Sequence, residues 1–170
     1  MQTFLPFPNY AYTALLLDRQ RLGKQRVECK QILLAMSKTT GGWRNHPATA
    51  MWRGHEIELA RYGAAMCREW LHRGYNDSLL TFFEYAENIL TADGRNEAPP
   101  PWLGDELFHA SHRSNLLRKD PEFYSRYNWT EPPDIPYVWP ITPVQTVTNI
   151  PYLTLDTHSD MTPVLSAANV

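Results

Sequence analysis

The sequence predicts an all-α protein, a small helical bundle followed by a Pro-rich, extended C-terminal tail. Between residues 9 and 119, apolar side chains recur at helical spacing in segments separated by Gly and Pro breaks. From residue 131 onward, prolines recur so often that no helix can form through them. We therefore expect one helical domain over residues 1–130. Residues 131–170 are expected to form an extension that packs on this domain or is partly disordered.

The first two helices have recognisable starts. Pro6 and Pro8 favour an extended beginning of the chain, and a short helix is expected over residues 9–17. Asp18 is a typical N-cap for a second helix that runs to about residue 38. Its buried stripe is predicted to contain Leu22, Cys29, Leu33 and Met36. Its opposite, polar face is predicted to contain Arg21, Lys24, Gln25, Glu28 and Gln31.

The later helices are also bounded by cap residues. Pro47 suits the first turn of a third helix over residues 47–73, and Gly74 suits its end. The buried stripe of this helix is predicted to contain Trp52, His55, Leu59, Tyr62, Met66 and Trp70. Asp77 can cap a fourth helix to about residue 90, and a last helix is expected over residues 105–119.

Composition and charge narrow the class of protein. The chain is 43% hydrophobic and 20% charged, which is typical of a globular domain. No apolar run approaches the roughly 20 residues that span a membrane, and the first residues lack signal-peptide features. We therefore expect a cytoplasmic protein without a membrane partner. All 16 basic residues and 14 of the 18 acidic residues lie before residue 131. This part of the chain therefore has a small positive net charge, which is compatible with a phosphate-contacting surface.

The segment from Asp18 to Lys30 carries the densest functional signal, five basic and two acidic side chains. A helix places Glu28 one turn from Lys24 and two turns from Arg21. One interpretation is a solvated face with an i,i+4 ion pair. The other is a carboxylate that nearby cations keep ionised and that stabilises a carbon becoming positive in a transition state. The cations would then hold flanking phosphates.

Three stretches resemble the helical pyrimidine-dimer DNA glycosylases of the endonuclease V type. Leu22 and Glu28 have the spacing of that family's Leu and catalytic Glu. Residues 45–76 begin with Asn-His-Pro and close with Arg-Gly-Tyr-Asn, similar to the family's long helix. Residues 109–111 and 121–127 are similar to its His-x-Ala-Ser and Pro-x-aromatic-Tyr-x-x-Tyr motifs. The stretches lie in the family's order and cover about residues 1–129.

The resemblance implies a DNA glycosylase with AP-lyase activity that excises damaged or modified pyrimidines from duplex DNA. In the family, the α-amino group of the chain attacks C1′, the base leaves, and the resulting imine permits β-elimination. Glu28 is the implied catalytic carboxylate, which stabilises the cationic sugar and assists proton transfer. Met1 is expected to supply the amine, because Met is not usually removed before a residue such as Gln2. If it were removed, Gln2 could cyclise and lose its nucleophile.

The residues expected to contact DNA are Arg19, Arg21, Lys24, Arg26, Arg44, Asn45, His46, His109 and Arg113. Asn45 or His46 has the alternative role of capping the helix that follows. The aromatic run at residues 123–129 either packs on the bundle or stacks on bases. No cofactor is expected, since an amine and a carboxylate suffice. No metal is expected, because the histidines lack a third ligand at metal spacing.

Other functions remain open from the sequence. The same fold could bind nucleic acid without cutting it, if processing blocks the amine. The chain could also be a helical protein-interaction module with no nucleic-acid role, or could act on another altered base. Double-stranded DNA with damaged or modified bases is the expected partner, and no obligatory protein partner is inferred.

Overall fold

Helices and connecting turns make up the described structure, which covers residues 2–38 and 40–140 of a computed structural model. The α-helices are α1 (Tyr10–Leu16), α2 (Arg19–Ser37), α3 (Pro47–Ala50), α4 (Glu56–His72), α5 (Leu80–Ala92), α6 (Glu106–Lys119) and α7 (Pro121–Tyr124). Short 3₁₀ turns lie at Gly42–Asn45 and Ser125–Tyr127, and this part of the chain contains no strand. The predicted all-α class is confirmed. None of the helices described here combines the length and apolar character needed to cross a membrane.

The helices α2 and α4 form the centre of the bundle. They pack along each other, and α4 also packs on α1 and α5. Asp18 begins α2 as predicted, since its carboxylate accepts hydrogen bonds from the backbone N–H groups of Gln20 (2.9 Å) and Arg21 (3.1 Å). The predicted apolar stripe of α2 is buried at all four positions, Leu22, Cys29, Leu33 and Met36.

The predicted continuous helix over residues 47–73 is wrong, because the chain forms two helices there. A turn at residues 51–55 separates α3 from α4. Within it Gly54 has φ +79°, a left-handed conformation that side-chain-bearing residues rarely adopt. The N–H of Gly54 donates to Glu56 Oε1 at 3.0 Å, which satisfies the turn. Of the predicted buried stripe, Trp52, Leu59, Tyr62 and Met66 are buried, whereas His55 and Trp70 are partly exposed.

The described part of the C-terminal extension, residues 131–140, runs over α6 without regular structure. Tyr137, Val138 and Trp139 pack against the hydrophobic core. These ten residues are therefore a packed segment of the helical body. Met1 and residues 141–170, for which the sequence predicted a catalytic amine and the rest of the extension, lie outside the described residues.

Candidate active site

The N-terminal segment, residues 2–6, is held in place by hydrogen bonds to its backbone. Gln25 on α2 makes two of them, since its Oε1 accepts from Phe4 N (2.9 Å) and its Nε2 donates to Gln2 O (2.9 Å). The hydroxyl of Tyr62 on α4 donates to Phe4 O at 2.6 Å. Gln25 is fully buried, although the helical pattern predicted it on the polar face. The N-terminal segment covers that face and satisfies the amide.

Three side chains of α6 hold the next two residues of the same segment. His109 Nδ1 donates to Leu5 O (2.7 Å), Leu5 N donates to His112 Nδ1 (3.4 Å), and Arg113 Nη1 donates to Pro6 O (2.8 Å). His109 and Arg113 were predicted to contact DNA, but they are only 1% and 5% exposed. The structure therefore places these two side chains in the interior, where they anchor the N-terminal segment.

The buried imidazole of His112 is expected to make folding depend on pH. Burial, together with neighbouring His109, lowers the pKa of His112 from 6.5 to about 3. In the unfolded chain the imidazole of His112 binds a proton near its ordinary pKa of 6.5. In the folded chain it binds that proton only near the lowered pKa of about 3. The free energy of unfolding should therefore fall as the pH drops below about 6.5, by up to about 1.4 kcal/mol per pH unit from this group.

Urea unfolding at several pH values between about 7 and about 4 measures this slope, with His112→Asn as the matched control. The Asn oxygen can still accept from the N–H of Leu5 but does not titrate. The stability advantage of the unmodified protein over the variant should shrink as the pH falls. Parallel pH dependences for the two proteins would contradict the assignment of a neutral, buried His112.

Glu28 on α2 meets the beginning of the N-terminal segment. Its Oε2 accepts from the backbone N of Gln2 at 3.2 Å and from Gln25 Nε2 at 3.3 Å. The side chain is partly buried, and none of the salt bridges between described residues includes it. The carboxylate is therefore oriented by two N–H donors, and no ion pair with another described residue neutralises it.

The two arginines predicted to flank this carboxylate are paired with other acids. Arg21 forms salt bridges with Asp18 (2.8 Å) and Asp120 (3.4 Å). Arg26 pairs with Asp77, whose side chain is fully buried. Both guanidinium groups therefore connect α2 to neighbouring parts of the fold. Their predicted contacts with phosphates stay predictions.

Other predicted DNA-contacting residues lie on the surface. Arg19, Lys24 and Asn45 are exposed, and Arg44 is partly exposed in the 3₁₀ turn. Lys119, at the end of α6, was not predicted but lies in the same region. Partial desolvation and the nearby cations Arg21, Arg118 and Lys24 lower the pKa of Lys119. Positive charge is thus concentrated where α2 meets the end of α6.

A pocket of about 360 Å³ opens beside Glu28. The N-terminal segment forms one wall, α2 and Lys119 form another, and residues 137 and 139 of the C-terminal segment close a third side. The pocket opens into a wider groove along α2, and the two share Gln20, Lys24 and Glu28. A volume of this size is in the range of small-ligand sites. The N-terminal segment, a carboxylate and several cations therefore meet at one concave surface.

One family model matches part of this chain. The model of the family described as pyrimidine dimer DNA glycosylase matches residues 1–82. Over these residues, just under half of the chain, the protein is similar to the pyrimidine dimer DNA glycosylase family. The matched part contains two of the three resembling stretches, those around Glu28 and over residues 45–76. The family implies a DNA glycosylase, with DNA as its substrate. No curated protein and no solved structure matches the chain.

Within the part that matches the glycosylase family, His46 has both an internal contact and a place at the pocket. Its Nδ1 accepts from Ala48 N at 3.1 Å and caps α3, which was one of its two predicted roles. Burial lowers the pKa of His46, against the opposing effect of Glu28. The neutral ring therefore carries its proton on Nε2. His46 also lines the pocket, so its predicted contact with DNA stays a proposal.

The pocket-lining residues that were not predicted site residues include Gln25, Lys119, Tyr137 and Trp139. Only Lys119 had a signal in the sequence, since it forms a basic pair with Arg118 at a helix end. The other three reach the pocket through contacts between segments that are distant in the chain.

Proposed function

We propose that the protein is a DNA glycosylase with AP-lyase activity that excises damaged or modified pyrimidines from duplex DNA. The observation that carries this proposal is the backbone nitrogen of Gln2, 3.2 Å from Glu28 Oε2 at the edge of the pocket. A single residue spans at most about 3.6 Å of chain. Met1 is covalently bonded to that nitrogen, which supports its α-amino group as the proposed nucleophile.

The amine and the carboxylate have complementary parts in this reaction. The amine nitrogen attacks C1′ of the damaged nucleotide and forms a new C1′–N bond. The glycosidic bond between C1′ and the base breaks, and the base leaves with the bonding electrons and takes up a proton. Loss of a proton from the nitrogen and opening of the sugar ring give an imine. Removal of a C2′ proton then expels the 3′-phosphate by β-elimination, and water releases the amine. Glu28 stabilises the positive sugar and transfers the protons.

An α-amine suits the attack because its ordinary pKa of about 7.7–8.0 leaves a neutral fraction at physiological pH. Two lysines, Lys24 and Lys119, also line the pocket and are alternative amines. We assign them, with exposed Arg19, to the phosphates that flank the lesion. Binding of a phosphate would relieve the mutual repulsion of the cations around Lys119. A distorted base pair costs less to open, which favours damaged sites.

Reductive trapping tests the proposal. A duplex with one abasic site is incubated with the protein and sodium borohydride, which reduces an imine to a stable covalent bond. We expect an adduct that peptide mass mapping places on the N-terminal peptide, and the same map distinguishes Met1 from Gln2. Lys119→Arg and Lys24→Arg keep the positive charge but remove the alternative amines. Both variants are expected to be trapped as well as the unmodified protein.

Other results would favour the other functions. DNA binding without any adduct indicates a nucleic-acid-binding protein that does not cut. An adduct that disappears in Lys119→Arg shows that the assigned amine is wrong. Salt-sensitive binding to duplex DNA is expected of a glycosylase. If the protein shows no such binding, it is a protein-interaction module.

A further inference from the structure

Buried polar side chains of α6 fix the backbone on both sides of Tyr137. Before it, Asn115 Nδ2 donates to Ile135 O at 2.9 Å, and after it, Ser111 Oγ accepts from Val138 N at 3.2 Å. Asn115 and Ser111 are at most 1% exposed, and buried polar groups need such partners. This part of the C-terminal extension is therefore anchored to the interior of the helical domain.

The phenol ring of Tyr137 is held at the pocket beside Glu28. Its centroid lies 5.4 Å from that of the buried His112 ring and 5.7 Å from that of Trp139. Aromatic contacts at these separations favour a defined arrangement of the rings. Because the backbone and the ring are both held, the hydroxyl has a defined position at the wall of the pocket.

The Tyr137 hydroxyl is a buried polar group without a partner. Its oxygen is shielded from solvent and forms no hydrogen bond of ordinary geometry with a described residue. An unpaired buried donor costs folding free energy, so such groups are rare and need an explanation. Of the unpaired buried side-chain atoms in the described part of the chain, this one alone belongs to a residue of the 360 Å³ pocket. A donor kept unpaired there is available to an oxygen atom of a ligand.

The electrostatic surroundings keep this hydroxyl a neutral donor. Burial raises the pKa of Tyr137 to about 12, the Gln2 side chain and nearby arginines oppose the rise, and the charge of Glu28 adds to it. The hydroxyl therefore keeps its proton at physiological pH. The effects of Gln2 and Glu28 also indicate that it lies near the start of the N-terminal segment and near the carboxylate proposed to act on the sugar.

We infer that Tyr137 is a further catalytic residue, whose hydroxyl donates a hydrogen bond to the ring oxygen O4′ of the attacked sugar as that ring opens. This inference rests on the proposed function and deepens it. O4′ is bonded to C1′, the atom that the amine attacks, so it enters the same pocket as Glu28. Lys24 and Lys119 are assigned to the phosphates, which leaves the hydroxyl as a donor for the sugar.

Ring opening places negative charge on O4′. After the base has left, Glu28 takes a proton from the attacking nitrogen. The nitrogen lone pair then forms the imine bond to C1′ while the C1′–O4′ bond breaks, and the electrons of that bond move to O4′. Glu28 returns the proton to O4′, which becomes a hydroxyl group. Negative charge grows on O4′ before that proton arrives, and a hydrogen bond that strengthens with this charge lowers the barrier.

Tyr137→Phe tests the inference, since it removes the hydroxyl and keeps the ring. A single-turnover reaction uses a duplex with one thymine dimer, and each sample is divided. Alkali breaks the strand at every site that has lost its base, whereas the untreated half shows only strands that the protein itself has cleaved. We expect the variant to lose less than about 3-fold in base release and about 10²-fold in strand cleavage. Borohydride trapping on abasic DNA should also fall by about 10²-fold.

Urea unfolding separates this role from a structural one. An unpaired hydroxyl makes no internal hydrogen bond, so Tyr137→Phe should be at least as stable as the unmodified protein. Tyr85→Phe is the matched control, because it removes a hydroxyl from an exposed tyrosine on α5, outside the pocket. This control should leave both rates and the stability unchanged.

Other results would overturn the inference. An unchanged rate of strand cleavage shows that the hydroxyl does not act on the reaction. An equal loss of base release and strand cleavage shows that Tyr137 only shapes the site. A less stable Tyr137→Phe shows that the hydroxyl has a partner within the protein. If the unmodified protein is not trapped on abasic DNA, the proposed function itself fails, and the role of Tyr137 fails with it.

Discussion

Replacing Glu28 with Gln is expected to lower the rate of base excision by about 10³-fold, the largest catalytic effect of any single substitution in the pocket. The carboxylate is the group that can stabilise a positive sugar beside Gln2, and Gln has nearly the same shape without the charge. Its amide oxygen can still accept from the Gln2 nitrogen, so the N-terminal segment should stay in place. Removing a negative charge should not weaken the attraction of the protein for DNA.

Single-turnover excision and equilibrium DNA binding, measured on the same dimer-containing duplex, separate these two effects. Trapping on abasic DNA should also be lost, because imine formation and proton transfer use the same carboxylate. Glu84→Gln is a matched control, since it removes one negative charge from an exposed side chain on α5 that pairs with Arg68. Normal turnover by Glu28→Gln would show that another group performs the chemistry.

The local features of the fold were predictable from the sequence. Asp18 is recognisable as an N-cap because its short carboxylate reaches the first free N–H groups of α2. The apolar stripe of α2 follows from helical spacing, and all four predicted positions are buried. The sequence also predicted Glu28 as the catalytic carboxylate, and the structure places it at the pocket, while its catalytic role stays a proposal. Each of these features depends on residues within a few turns of one another.

Features that depend on distant segments were not predictable in this way. Gln25 was predicted on the polar face because helical spacing separates polar from apolar side chains. Helical spacing cannot show that the N-terminal segment covers Gln25 and buries it. The break at Gly54 was missed since a lone glycine is tolerated within a helical pattern. Its left-handed φ of +79° becomes visible only in the fold.

The same limit explains why the sequence did not show that two side chains predicted to contact DNA are buried. His109 and Arg113 carry functional groups that often bind DNA, yet both bind the backbone of residues 5 and 6 from more than 100 positions away. Trp139 belongs to a Pro-rich stretch that composition describes only as extended. Its position at the pocket follows from hydrogen bonds to three buried polar residues of α6, which the sequence presents as ordinary helix positions.

Replacing Gln25 with Leu is expected to lower both stability and activity, since this amide connects the chain start to α2. The substitution leaves Phe4 N and Gln2 O without their buried partner, which should cost about 3 kcal/mol of unfolding free energy. The backbone nitrogen of Gln2 would also lose its fixed distance to Glu28. A displacement of about 1 Å in such a geometry can cost about 10²-fold in rate. Urea unfolding and single-turnover excision measure the two effects.

Gln25→Glu separates positioning from stability. Its oxygen can still accept from Phe4 N, but a second carboxylate then lies where Nε2 now donates to Glu28 Oε2 at 3.3 Å. Two carboxylates this close cannot both ionise easily, so the acidic limb of the pH–rate profile should move to higher pH. Gln31→Glu adds the same charge at an exposed site on α2 and should move the limb much less. If both variants give the profile of the unmodified protein, a charge at position 25 does not act on the reaction and Gln25 does not position the catalytic group.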